Sequence, residues 1–138
     1  MNETRYTLHP IGWVESPLTD PELAPKQPDE GAPAAWLVLD PAVGAALRGL
    51  ETGSHVVVLT WLDRARRDVL EVHPRGDMSR PVAGVFCTRS PERPNPIGLH
   101  TVQITAIDGT RIGVRNLEAL DQTPVLDIKP VLGLIDER

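Results

Sequence analysis

The chain has 138 residues, a net charge of −5, 41% hydrophobic residues, only 4% aromatic residues and one cysteine. A chain of this size buries roughly two-thirds of its unfolded surface, so one domain over residues 1–138 is expected, with a core of Val, Leu, Ile and Ala and few rings on which nucleic-acid bases can stack. An intrachain disulfide, a bilayer-spanning run and long-range attraction of the whole chain to a polyanion are excluded; no Cys or His pair has zinc-site spacing, and residues 1–6 lack the apolar segment of a signal peptide, so a cytoplasmic protein without membrane or metal partners is expected.

In chain order, residues 6–15 predict a first strand marked by Leu8, Ile11 and Trp13, followed by a long polar, proline-rich loop over residues 16–33. Residues 34–39 predict a second strand. Asp40 then offers an N-cap, Pro41 a first helical residue and Val43, Leu47 and Leu50 an apolar face, with Gly49 and Gly53 as stops, so a short helix follows. Residues 55–62 carry Val56, Val57, Val58 and Leu59 in succession, which predicts a strand buried on both faces, and residues 82–86 form a second apolar run. Residues 101–107 alternate, with Val102, Ile104 and Ala106 on one face, and Asp108 and Gly109 supply a hairpin turn before the chain returns over residues 110–115. Residues 124–128 add a final strand. The fold expected is mostly β: a compact antiparallel β-barrel with a short helix and long Pro-rich loops, without the βα alternation and Gly-rich fingerprint of common nucleotide-binding folds.

The segment over residues 84–99 reads GVFCTRSPERPNPIGL. Pro91, Pro94 and Pro96 each fix φ and remove an amide donor, so residues 90–97 are expected to form a stiff loop rather than a helix or central strand. Arg89, Arg93 and Asn95 project from it, placing two guanidiniums and a carboxamide on a backbone that loses little entropy when a ligand arrives. Between residues 64 and 93 there are seven arginines against four acids, Asp68, Glu71, Asp77 and Glu92, which permits either a basic face or a solvated, salt-bridged loop pair.

This segment resembles the signature of the TsaA-like, or TrmO, family. Further blocks occur in the family order: Ile11-Gly12 with Ser16-Pro17, Pro25-Lys26-Gln27, Gly49-Leu50-Glu51 with His55, and TPVLDIKP over residues 123–130. The resemblance implies a homodimeric β-barrel that uses S-adenosylmethionine to methylate a nitrogen, the best-known acceptor being threonylcarbamoyladenosine next to the tRNA anticodon. It implies cofactor contacts at Pro25, Lys26, Gln27, His55, Val56, Arg89, Leu99, Asp121, Gln122, Thr123 and Pro124. Departures from the family pattern are Cys87 for an alanine, His100 for a small residue, and Gln122 for a glycine that permits positive φ. After Lys129-Pro130 the usual tyrosine is replaced by Val131.

Methyl transfer from a sulfonium to nitrogen is an in-line displacement that needs alignment, exclusion of water and a group to draw off the amine proton. Asp127 and Asp121 are the carboxylates available, with Asp127 and Asn95 the candidate catalytic residues and Arg93, His100 and Lys129 the candidate acceptor-binding ones. Asp127 shares a strand face with Lys129, so the pair reads either as a plain salt bridge or as a site wall in which Lys129 keeps Asp127 ionised. His55 and His100, each beside an apolar run, read as structural residues or as groups that titrate near neutrality. A tRNA methyltransferase, a methyltransferase of a small nitrogen compound and a non-catalytic S-adenosylmethionine binder all remain open at this point.

Overall fold

The computed structural model describes residues 4–19 and 34–133. Among the described residues eight strands form: β1 (Gly12–Glu15), β2 (Ala35–Leu39), β3 (His55–Trp61), β4 (Glu71–Val72), β5 (Ala83–Gly84), β6 (Ile97–Asp108), β7 (Arg111–Arg115) and β8 (Pro124–Pro130). Six of them close into an antiparallel barrel in the order β1-β2-β7-β6-β3-β8, with β8 hydrogen-bonded to both β3 and β1. Closure removes the unpaired edges that an open sheet of this size would expose. The core is aliphatic, with Val14, Leu37, Val58, Val114, Leu117 and Val125 fully buried, as the scarcity of aromatic residues implies.

The hairpin is as expected. Val102 and Ile104 face the core, Gly109 takes φ +61°, and β7 returns along β6. Strand β6 is longer than expected because it serves two neighbours: its first half pairs with β3 and its second with β7. In β3 the expectation of burial on both faces is corrected. Val56, Val58 and Thr60 point inward, while Val57, Leu59 and Trp61 are only half-buried on the outer surface.

The first strand is shorter than the apolar markers suggest. Only residues 12–15 pair, because Gly12 meets Leu39 at the last residue of β2 and the chain then turns into a helix, leaving no strand among the described residues for residues 6–10 to pair with on that side. The helix Pro41–Leu47 is 3-10 rather than α; Asp40 caps it by accepting from the Ala42 amide at 2.9 Å, and Val43, Leu47 and Leu50 pack against the core. With Gly44 at its centre and only seven residues, it gains little from α geometry. Residues 62–96 form an arm between β3 and β6 that contains the β4–β5 pair. Within the apolar run of residues 82–86, Val85 is buried and a 3-10 turn sends Phe86 into solvent, where it is 86% exposed.

Candidate functional site

Residues 90–96 have no regular structure, and β6 begins at Ile97, one residue inside the expected loop. Arg67 satisfies one carbonyl and one side-chain oxygen of this proline-rich stretch. Arg67 donates from Nε to Pro94 O at 2.7 Å and from Nη2 to Asn95 Oδ1 at 2.9 Å, and its guanidinium lies 5.2 Å from the centroid of the Trp61 ring. The Leu62 amide donates to Pro96 O at 2.8 Å, and the Arg93 amide to Arg66 O at 3.1 Å. The loop is thus braced against the start of the arm.

Arg93 does not face an acceptor. Its Nη2 donates inward to Thr88 O at 2.8 Å and to Val85 O, and its Nε is buried without a partner among the described residues, so its role as an acceptor contact is corrected to one of pinning the arm. Arg89 is different: it is exposed and makes no ion pair or hydrogen bond among the described residues. Elsewhere in the arm Arg66 forks onto Asp68 with two bonds of 3.0 Å, and Asp68 is held below the usual carboxylate range by that hydrogen bond and by the Arg66 charge. Arg64 donates to Thr19 O at 3.3 Å. Much of the arm's basic charge is therefore committed within the arm or to the first loop.

Residues 121–124 are clamped to β1. The Asp121 amide donates to Leu18 O at 2.7 Å, the Gln122 amide to Val14 O at 2.6 Å and the Val14 amide to Thr123 O at 2.9 Å, while Asp121 Oδ1 accepts from the Ser16 amide at 2.9 Å. Thr123 is buried, and its hydroxyl donates to Leu120 O at 2.6 Å. Gln122 sits at φ +68°, a left-handed conformation, where the family pattern has glycine. Left-handed backbone costs a side-chain-bearing residue about 1–2 kcal/mol, part of which glycine forfeits to unfolded-state entropy. Gln122→Gly is therefore expected to stabilise the fold by about 0.5–1 kcal/mol, read as a higher urea midpoint at unchanged slope.

Register places the remaining candidates. Leu59 of β3 pairs with Leu99 on one side and Asp127 on the other, so these three form a row on the outer face. Asp127 Oδ2 lies 3.2 Å from Lys129 Nζ, its Oδ1 accepts from the Ile128 amide at 2.9 Å, and its side chain is 49% exposed. It is both ion-paired and open to a ligand. His55 and Val56 line a cavity of about 520 Å³ with Leu50, Ser54, Pro130 and Val131, a volume suited to a small molecule. That cavity lies at the first residues of β3, whereas the proline-rich loop and residues 121–124 adjoin its last, about 20 Å away along the strand. One chain therefore does not gather all the expected cofactor residues in one pocket. Pro25, Lys26 and Gln27 lie outside the described residues.

His100 is corrected most clearly. It points into the barrel, 4% exposed, with Nε2 2.8 Å from the Thr60 hydroxyl and Nδ1 3.7 Å from Glu118 Oε1. The order of carboxylate, imidazole and hydroxyl is that of a nucleophilic triad, but Thr60 is fully buried and no substrate reaches it. Gly98 makes the arrangement possible, because a Cβ there would stand 2.6 Å from His100 Nε2. The sequence reading missed Glu118, a lone acid in a loop with no spacing signal, and Trp61, whose outward position follows from the alternation of β3.

A family model described as the tRNA-methyltransferase O N-terminal domain matches residues 13–137. The chain belongs to this family. Relatives of the tRNA-methyltransferase O N-terminal domain include an S-adenosyl-L-methionine-binding protein of Archaeoglobus fulgidus, 42% identical over 129 residues that cover 94% of this chain and 91% of that protein. A probable S-adenosyl-L-methionine-binding protein of Methanothermobacter thermautotrophicus is 42% identical over 136 residues, covering 99% of this chain and 97% of that one. Among solved structures, a crystal structure of TrmO superposes with a TM-score of 0.79 at 32% identity, covering 100% of this chain and 60% of that one. TrmO from Pseudomonas aeruginosa gives 0.77 at 32% identity, covering 98% and 60%. The chain thus spans about 60% of those crystallised proteins, and 35% of a further Archaeoglobus fulgidus relative that is 43% identical.

Proposed function

We propose that this chain binds S-adenosylmethionine and transfers its methyl group to a nitrogen, the acceptor being N6 of threonylcarbamoyladenosine next to the tRNA anticodon. The family match over residues 13–137 carries the reading, and the names of the relatives support the cofactor. The cofactor supplies an electrophilic methyl on a sulfonium. The residues present fit such a group: Arg89 is a guanidinium unpaired among the described residues and available for its carboxylate, and the cavity beside His55 and Val56 has the volume and the apolar wall that an adenosine moiety needs.

The chain's own work is alignment, water exclusion and proton removal. The braced loop presents Arg89 and Asn95 on a backbone that is ordered before any ligand arrives. With the cofactor bound, its sulfonium would supply the methyl and leave as the neutral thioether, and the acceptor's amine proton would pass to Asp127, whose Oδ2 lies 3.2 Å from Lys129 Nζ. Leu99, Asp121, Gln122, Thr123 and Pro124 form the other walls. Because His55 and Val56 stand at the opposite end of β3 from these groups, a complete site draws on two copies, and a homodimer is the assembly this reading requires.

Calorimetry on the Arg89→Ala variant tests the reading. Loss of a charge-assisted hydrogen bond is expected to weaken S-adenosylmethionine binding by about 1.5–3 kcal/mol. Undiminished affinity in the folded variant refutes this placement. Labelled cofactor incubated with total tRNA, followed by mass spectrometry of the digested nucleosides, tests the acceptor. A methyl found only on small metabolites, or on nothing, overturns the tRNA assignment.

A further inference from the structure

We infer that the cleft between the N-terminal segment and the outer face of β3 and β8 takes the planar heterocycle of a purine nucleoside as the methyl acceptor; the inference rests on the function proposed above for its chemistry, not for its geometry. The cleft has a volume of about 240 Å³ and is lined by Tyr6, Leu8, Pro10, Trp61, Pro124 and Leu126. Among the described residues its walls are two aromatic rings, two prolines and two leucines, with no charged side chain. They suit a flat, weakly hydrated ring rather than a phosphate, a carboxylate or a peptide backbone. The volume falls below the range of roughly 300–1,000 Å³ usual for whole small-molecule sites, so the cleft fits one ring system and not an entire cofactor.

Its position gives the ring a reason to be there. Trp61 follows Leu59 by two residues on the outer face of β3, so the cleft lies about 7 Å along the strand from the row that joins Leu99, Leu59 and Asp127. Leu126 in its wall precedes Asp127 directly, and Pro124 belongs to the block clamped to β1. On the other side Arg67 lies over the Trp61 ring and binds Asn95 Oδ1, tying the cleft to the proline-rich loop. A ring held here has the two candidate catalytic residues on either flank. Tyr6 is 87% exposed and Leu8 60% exposed on a segment that pairs with no strand among the described residues.

Adenosine titrated into the full chain, with S-adenosylhomocysteine at saturation to block adenosine from the cofactor site, tests the assignment by ligand-observed NMR. The expected result is binding that Trp61→Leu weakens about tenfold, that Trp61→Phe restores because the ring is kept, and that Tyr6→Ala weakens without affecting the fold. S-adenosylhomocysteine affinity should not change in any variant. Equal adenosine binding by wild type, Trp61→Leu and Tyr6→Ala overturns the inference, as does no adenosine binding by the loaded wild-type protein. Sedimentation of the same samples distinguishes the other occupant: if Trp61→Leu and Tyr6→Ala shift the oligomeric state and leave adenosine binding alone, the cleft is covered by a second copy and the inference fails. Failure of S-adenosylhomocysteine to bind refutes the proposed function instead, and adenosine titrated alone into wild type and Trp61→Leu then decides the cleft.

Discussion

Asp127→Asn is expected to lower turnover about a hundredfold or more while leaving S-adenosylmethionine affinity intact. The substitution keeps the volume and one acceptor oxygen but removes the charge that draws a proton from the acceptor nitrogen. The geometry allows this role because the side chain is 49% exposed and sits in one row with Leu59 and Leu99. The same geometry supports the competing role, since Lys129 lies 3.2 Å away. An exposed pair of this kind contributes little to stability, about 0–1 kcal/mol, so if Asp127 were only a partner for Lys129 the variant would melt a degree or two lower and react at a near-normal rate per folded molecule. Single-turnover methyl transfer and a thermal melt on one preparation separate the two, and near-normal single-turnover rates rule out the catalytic role.

Gly12→Ala is expected to destabilise the fold by about 3 kcal/mol, which lowers the melting temperature on the order of 10 °C. A Cβ at Gly12 would meet the Val38 carbonyl oxygen and stand 2.8 Å from Leu39 Cα, both backbone atoms of the paired strand. No rotamer change relieves that contact. The β1–β2 ladder must part, and β1 also pairs with β8, where the barrel closes. Gly84→Ala is the control, because a Cβ there meets nothing within 4 Å and φ is not positive; it should leave the melt unchanged. Equal melting of the two variants would show that β1 is not held as closely to β2 as the register implies.

Much of the fold was legible because the responsible signals are local. Alternation placed β6, a two-residue turn placed the hairpin, Asp40 and Pro41 placed the helix start, and three prolines placed the loop. The left-handed backbone at Gln122 was not legible, since a glutamine by itself gives no hint of positive φ and the resemblance marked only a departure from glycine there. Arg89 and Lys129 are exposed and the Asp127 side chain is half-exposed, on the strand face it shares with Lys129.

Other features depended on partners distant in sequence. Arg93 and Arg89 have the same side chain four residues apart, yet one turns inward to Val85 and Thr88 and the other faces water, a choice made by how the arm folds back. His100 alternates with outward-facing Leu99, so inside and outside were separable along the strand. Which of the two faced the core depended on barrel closure and on Gly98, Thr60 and Glu118 meeting it there. The sequence by itself determined the strand periods, the turns and the stiffness of the signature loop, because those follow from φ restriction and side-chain alternation over a few residues. The tertiary structure alone decided that His55 and residues 121–124 lie at opposite ends of β3, and that Asp127 shares a row with Leu99. Those separations come from strand register around a closed barrel, which is set by many long-range pairings at once and by no single segment.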